Sequence, residues 1–460
     1  KPCPVPVFHI HCVYFHILCV YLPSRTVFTS AFSVSRRWVH IPIHNGVTKD
    51  SHLIRNTRSM DPKFINTIFN QYFCHGPEIP GKPAVTDQLQ VQSSVQQDSS
   101  ATSDTKRIDL NFVSSHGEKM KASMIIKTRK TWENSIQASN YDALFRTEVK
   151  MYTTLLPMMT DVMTQAGDER EALWPVMYGY QSTNLLALQD LTGMGFEVKR
   201  LRTGLSEDDS LLVVKNIARF HAMSRPLIDR GLVSLPSAES SEIYVNQIYK
   251  TLFAVLCHSM ETSWAKEWLP MADWIRTHHD DVLRTVGQLQ LENDKGFDVV
   301  NHGDLWTSNL MFRTGSKNSL PSVRFIDFQL SNVNSFIWDL EFFFWTSVNP
   351  RVRTTMKSFL LKEYQESLQE NLKILGYSGY IPTLDDVLAE SKRIEIAGLV
   401  FLLFGAVVRS DVPQAIAMDK LMTHQPLEVV NQRIFSGREA QKMLGEDLKF
   451  LGQQGIIPST

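Results

Sequence analysis

Cysteine is scarce in this chain. Of its five, Cys3, Cys12 and Cys19 lie at the extreme N-terminus, leaving Cys74 and Cys257 for everything else. Two distant thiols make no disulfide framework and show no metal-ligand spacing, so the body reads as reduced and cytoplasmic. Net charge is nearly absent as well. A formal −1 over 460 residues excludes the basic footprint that a nucleic-acid binder would carry in its total. The body also lacks a membrane-length apolar run. Ile396–Val408 is 13 residues long, short of the ~20 needed to cross a bilayer, and reads as a buried core helix. There is no internal repeat. What remains is ordinary globular composition, 43% apolar and 21% charged, in a chain long enough for two or three domains of ~100–200 residues.

Residues 1–59 differ from the rest. Val5–Leu22 is almost wholly apolar or aromatic but carries three histidines, and the stretch from there to Ser59 is rich in Ser and Arg, with Asp50 its only acid. A signal anchor and a transit-type segment are both open readings. The third, preferred here, is a non-domain extension outside the working protein, with Met60 as the start. Asp61 can then cap a helix, Pro62 suits its first position, and Phe64, Ile65, Ile68, Phe69, Tyr72 and Phe73 form one apolar face that Gly76 and Pro77 end.

Residues 78–106 are polar and read as loop. Leu110–Val113 and Ala122–Lys127 read as strands of a hairpin around Ser115–Glu118. A helix follows from Tyr141 to Leu156, stopped by Pro157, and then strands at Trp174–Tyr180 and Asn184–Leu188. Beyond Leu191 helices dominate, including Val352–Leu375 and Leu384–Val408, with short strands around 299–326. The expectation is an α+β, bilobal protein-kinase-like fold: a small β-rich N-lobe over 60–190 and a large helical C-lobe over 191–450.

The chemistry concentrates in Asn301-His302-Gly303-Asp304-Leu305-Trp306-Thr307-Ser308-Asn309 and Phe325-Ile326-Asp327-Phe328-Gln329. Phosphoryl transfer from ATP needs one carboxylate to orient and deprotonate a hydroxyl, plus an amide and a second carboxylate to hold Mg²⁺ on the phosphates. Asp304 fits the base, and Asn309 and Asp327 fit the metal ligands. His302 reads as a buttress of the loop. Asp339, in Trp338-Asp339-Leu340, could hold the loop's backbone or simply cap a helix.

Upstream, Lys127 ends an apolar strand and would reach the phosphates. A strand-end lysine can also snorkel to water, and on the strand alone that is the better reading. The next helix changes the balance. Glu148 falls on the apolar stripe of Leu144, Phe145, Tyr152 and Leu155, and an inward carboxylate needs a partner. At Gln189-Asp190-Leu191 an apolar strand turns polar, where backbone groups would bond the adenine. The interval after Asp327 has no room for an activation segment ending in A-P-E, and the loop reads H-G-D rather than H-R-D. Both departures favour a small-molecule acceptor over a protein.

At these residues the chain resembles the ecdysteroid kinase-like family, within the wider choline kinase and aminoglycoside phosphotransferase-like group. Met124-Ile125-Ile126-Lys127-Thr128, Phe145 through Pro157, Leu188-Gln189-Asp190-Leu191 and Ala218-Arg219-Phe220-His221-Ala222 carry the likeness. So do Asn301 through Asn309, Phe325 through Ser331, and Asp339-Leu340. The resemblance spans most of 60–450. It implies ATP- and Mg²⁺-dependent phosphorylation of a hydroxyl on a small apolar molecule, an ecdysteroid or a xenobiotic.

One feature departs from that family. No glycine occurs between Gly81 and Gly117, so the candidate phosphate-covering stretch is Gln92 through Ser100. This leaves a catalytically inactive, kinase-like small-molecule-binding protein as an alternative from another class, although the Asp304/Asn309/Asp327 trio speaks against it. A choline- or aminoglycoside-type kinase would call for an acidic acceptor pocket. Phe342-Phe343-Phe344-Trp345 offers an aromatic one instead, unless those four are core.

Overall fold

The computed structural model describes residues 62–69, 90–99, 103–113, 119–130, 135–181, 184–199, 202–235, 242–292, 296–315, 320–410, 412, 415–417 and 424–459. The extension 1–59, the start at Met60, the cap at Asp61, the helix end at Gly76-Pro77 and the turn Ser115–Glu118 lie outside these residues. All the elements below belong to the compact unit His40–Thr460.

Helix α1 (Pro62–Ile68) precedes strands β1 (Gln90–Ser99), β2 (Ser103–Val113) and β3 (Lys119–Arg129). Helix α2 (Ser135–Lys150) runs through a π-helical turn, Met151–Leu155, into α3 (Leu156–Gln165). β4 (Met177–Gln181) and β5 (Leu185–Gln189) complete an antiparallel five-stranded sheet ordered β1-β2-β3-β5-β4. Next come β6 (Glu197–Val198), α4 (Glu207–Asp229), α5 (Glu242–Thr262) and α6 (Leu269–Leu291). Four short strands follow: β7 (Asp298–Asn301), β8 (Leu310–Arg313), β9 (Ser322–Phe325) and β10 (Asn332–Ser335), paired as β6-β8-β9 and β10-β7. The chain then adds α7 (Ile337–Thr346), α8 (Pro350–Ile374), α9 (Leu384–Arg393) and α10 (Ala397–Arg409). It finishes with α11 (Pro426–Val429), α12 (Arg433–Ser436) and α13 (Arg438–Gln453). The fold is thus mixed helix and sheet. Among the described residues no helix is long and apolar enough to cross a membrane.

Two apolar cores share the large sheet. Strand residues alternate between faces, so Met124 and Ile126 of β3, with Ile108, Leu110 and Phe112 of β2, pack on Phe64, Ile65 and Ile68 of α1. The opposite face, with Ile125, Leu186 and Leu188, joins the much larger helical core.

Three sequence expectations need correction. The polar stretch 78–106 is not all loop: Gln90–Ser99 and the start of β2 are strands, with a register shift between Ser94 and Asp98. β1 is an edge strand held by its backbone ladder to β2, and its mostly Gln and Ser sequence offers no sustained apolar alternation. The candidate phosphate-covering stretch is therefore mostly β1. Because Asp98 pairs with Thr105 and Thr105 with Lys127, the β1–β2 connection leaves the sheet at the Lys127 end.

Pro157 does not stop the helix either. It occupies the first turn of α3, where its missing N–H is harmless, and the π-helical turn absorbs the change in bonding. Finally, Leu384–Val408 is two helices, broken at Ile394–Ile396 by tight backbone bonds, Ala397 N–H to Ile394 O among them (2.8 Å). The break lets α10 lay Gly398 and Gly405 against Trp345 of α7, where a Cβ would come within 2.5 and 2.4 Å of its atoms.

Candidate active site

Lys127 alternates onto the helical-core side of β3, as the strand period requires. Its Nζ lies 2.7 Å from Glu148 Oε2 and 2.7 Å from Asp327 Oδ1. Burial alone would lower the ammonium's pKa, but the charges of Asp327 and Glu148 outweigh it and raise it above the ordinary lysine value. Glu148 comes from the stripe of α2 that also buries Phe145, and Tyr152 continues that stripe in the π-helical turn. Its carboxyl is pushed up to about 7 by burial, against the pull of Lys127.

The loop after β7 is held from behind. Asp339, in the first turn of α7, accepts the backbone N–H of His302 (2.6 Å) and of Gly303 (2.9 Å). The same carboxylate meets His221 Nε2 at 3.1 Å, and His221 Nδ1 meets the Tyr364 hydroxyl at 2.8 Å. Asp339 thus holds the loop's backbone, the first of the two roles the sequence left open. Gly303 has φ +80, and a Cβ there would stand 2.1 Å from the Leu330 carbonyl oxygen. Only glycine fits that position, which explains H-G-D in steric terms. His302 Nδ1 accepts the Asp304 N–H (3.3 Å), leaving Nε2–H to donate to Ile326 O (2.9 Å). Burial lowers its pKa, so the ring is a neutral strut.

Asp304 and Asn309 touch. Asn309 Nδ2 donates to Asp304 O and to Asp304 Oδ2, both at 2.9 Å. Burial, and then the charge of Asp327, push the Asp304 carboxyl up to about 7. Asn309 O in turn accepts the N–H of Ile326 at 3.0 Å, which brings Asp327 alongside. Phe328 locks the turn after β9 against Tyr152 and His302, with ring centroids 5.7 and 4.8 Å away. Asp327 has φ 66, the only positive value for a non-glycine among the described residues. Such a conformation costs about 1–3 kcal/mol and persists where surrounding structure enforces it.

The donor set suits Mg²⁺. With its NH₂ committed to Asp304, Asn309 keeps Oδ1 as an acceptor, and the Asp327 carboxylate remains 20% exposed. Mg²⁺ takes one or two hard protein oxygens and completes its shell with water and phosphate.

At the end of β5 the backbone is less open than the sequence suggested. Gln189 N–H is already bonded to Val176 O at 2.8 Å. Asp190 contributes a buried side chain: Oδ1 accepts Thr192 N–H (2.9 Å) and hydroxyl (2.6 Å), and Oδ2 accepts the Ser123 hydroxyl (2.6 Å). Arg107 Nε pairs with the same Oδ2 at 3.0 Å. Neither Arg107 nor Ser123 is singled out by sequence alone, since each joins the site only through strand pairing.

Of the aromatic string in α7, Phe343, Phe344 and Trp345 are core. Phe342 is part-exposed and stacks on Phe404, which also meets Trp306 of the loop (ring centroids 5.7 and 5.5 Å).

Among solved structures, the chain is similar to a glucosamine kinase in complex with glucosamine, ADP and inorganic phosphate. Identity is 11% over 83% of this chain and 96% of that one, with a TM-score of 0.27. A second form of glucosamine kinase, crystal form B, matches at 10% identity over 81% and 94%, also with a TM-score of 0.27. No curated protein matches the chain. The family model described as the ecdysteroid kinase-like family does match, over residues 99–377, more than half of the chain. This protein therefore belongs to the ecdysteroid kinase-like family.

Proposed function

We propose that the protein transfers the γ-phosphate of Mg·ATP to a hydroxyl of a small apolar molecule, an ecdysteroid or a xenobiotic. The supporting observation is the Lys127 ammonium 2.7 Å from both Glu148 and Asp327, beside a contacting Asp304–Asn309 pair. Buried charge of this density is costly to assemble and serves no packing purpose. On this reading residues 60–190 and 191–450 are two lobes with the nucleotide between them, acting in the cytoplasm.

Each residue then has a task. Lys127, steadied by Glu148, would grip the phosphates. Groups at Gln189, Asp190 and Leu191 would border the base. Asp304 would orient the acceptor hydroxyl and take its proton, with Asn309 Nδ2 fixing the carboxylate. Asn309 Oδ1 and Asp327 would hold Mg²⁺, which when bound neutralises charge on the phosphates. Phe342, Phe404 and Trp306 would face the acceptor, which favours an apolar molecule.

The test is incubation of the purified chain with labelled Mg·ATP and a panel of ecdysteroids and plant phenolic glycosides. Labelled product that disappears in Asp304→Asn supports the proposal. Binding of Mg·ATP with no labelled product across the panel would leave a non-catalytic binding protein in its place.

A further inference from the structure

The face of the sheet that bears Lys127 bears a second cation, placed there by strand register. Residues paired across an antiparallel ladder project to the same face. Lys127 pairs with Thr105 and Leu186, and Ile125 pairs with Arg107 and Leu188. Arg107 therefore lies on the Lys127 face, one row along toward the end of β5. At ~3.3 Å per residue, rows of one face are about 6.6 Å apart. A nucleotide with its phosphates at Lys127 and its base toward Gln189–Leu191 would pass beneath Arg107.

That side chain is fixed at one end and open at the other. Arg107 Nε lies 3.0 Å from Asp190 Oδ2 and 3.2 Å from Asp109 Oδ1, and Nη2 donates to Ser123 Oγ at 3.4 Å. Asp190 is only 1% exposed, whereas Arg107 is 36% exposed. A planar, weakly hydrated guanidinium held this way, on a side chain 36% exposed, is suited to stacking on an aromatic ring.

Resting on the nucleotide reading above, we propose that Arg107 is the roof of the nucleobase site, stacking on the purine plane while Asp190 and Ser123 hold it in position. The Asp190 side chain then serves as the anchor of Arg107, and only its backbone borders the base. Stacking on a ring face adds affinity without choosing between adenine and guanine.

Calorimetric titration of wild type, Arg107→Ala and Arg107→Lys with Mg·ATP, Mg·GTP and magnesium tripolyphosphate tests this. Arg107→Ala should weaken both nucleotides by a similar factor, about 5- to 20-fold, and leave tripolyphosphate within about twofold. Arg107→Lys keeps a cation beside Asp190 and so preserves the fold, but it lacks the plane. It should show at least about a threefold loss for both nucleotides. Unchanged nucleotide affinity in a folded variant overturns the proposal. Equal loss for tripolyphosphate also overturns it, by making Arg107 a phosphate ligand. Failure of the wild type to bind Mg·ATP at all would instead remove the nucleotide reading itself.

Discussion

Along one face of the large sheet, the two ends treat charge differently. At Lys127 an ammonium only 8% exposed sits between carboxylates that come from α2 and from the turn after β9, the latter 200 residues away. At Arg107 a guanidinium that is 36% exposed leans on Asp190, whose other partners, Ser123 and Thr192, lie in β3 and just past β5. The first arrangement buries Lys127 and Glu148 and most of Asp327, and the attraction between cation and carboxylates offsets the cost of taking them out of water. The second costs little, because solvent still reaches the cation. The end with buried charge should respond sharply to substitution, and the open end mildly.

The largest effect is expected at Asp304, the carboxylate proposed to take the acceptor's proton. Asp304→Asn should lower turnover of Mg·ATP by on the order of 10²–10⁴-fold, while its melting temperature stays near that of the wild type. A folded variant with wild-type turnover would remove Asp304 from the chemistry.

Next, Lys127→Met would strand Glu148 and Asp327 without their cation. Urea unfolding should show a loss of about 3–5 kcal/mol, typical of a broken buried ion pair. The matching change at the open end, Asp190→Ala, should cost only about 1–3 kcal/mol, since it leaves donors that water can partly satisfy. Equal costs for the two would abolish the contrast.

The smallest effect is a pH dependence away from both ends. Burial would raise the carboxyl pKa of Asp168, but Arg170 and Arg219 outweigh it and hold it below the ordinary value. Arg324 and Arg313 do the same for Glu171. Groups whose folded pKa is depressed contribute stability above their unfolded pKa and lose it as pH falls through the folded one. Stability should therefore decline below about pH 4.5, where Glu171 and then Asp168 begin to protonate in the unfolded chain. Asp168→Asn should flatten that decline in acid-titrated thermal melts.

Much of this was legible in the sequence. The strand that carries Lys127, the inward Glu148 and the loop from Asn301 to Asn309 announced themselves through period and spacing, which are local properties, although that strand runs on to Arg129. The edge strand Gln90–Ser99 did not, because its sequence is mostly Gln and Ser and its pairing with β2 leaves no mark on composition. The continuation of the helix past Pro157 was hidden for a related reason, since a π-helical turn is a change of bonding rather than of composition. Arg107 and Ser123 were not singled out, because each meets Asp190 only through strand pairing.

What the sequence by itself determined is which side chains could do chemistry and their order along the chain: strand lysine, helix glutamate, loop carboxylate, amide, second carboxylate. Their meeting was decided by tertiary structure alone. Lys127 touches Asp327 because the turn after β9 packs on α2, whose Glu148 the lysine also meets, and Gly303 is required because the Leu330 carbonyl passes where a Cβ would stand. Periodicity records which face a residue takes, but steric and electrostatic contact between distant segments exists only once the chain has closed upon itself.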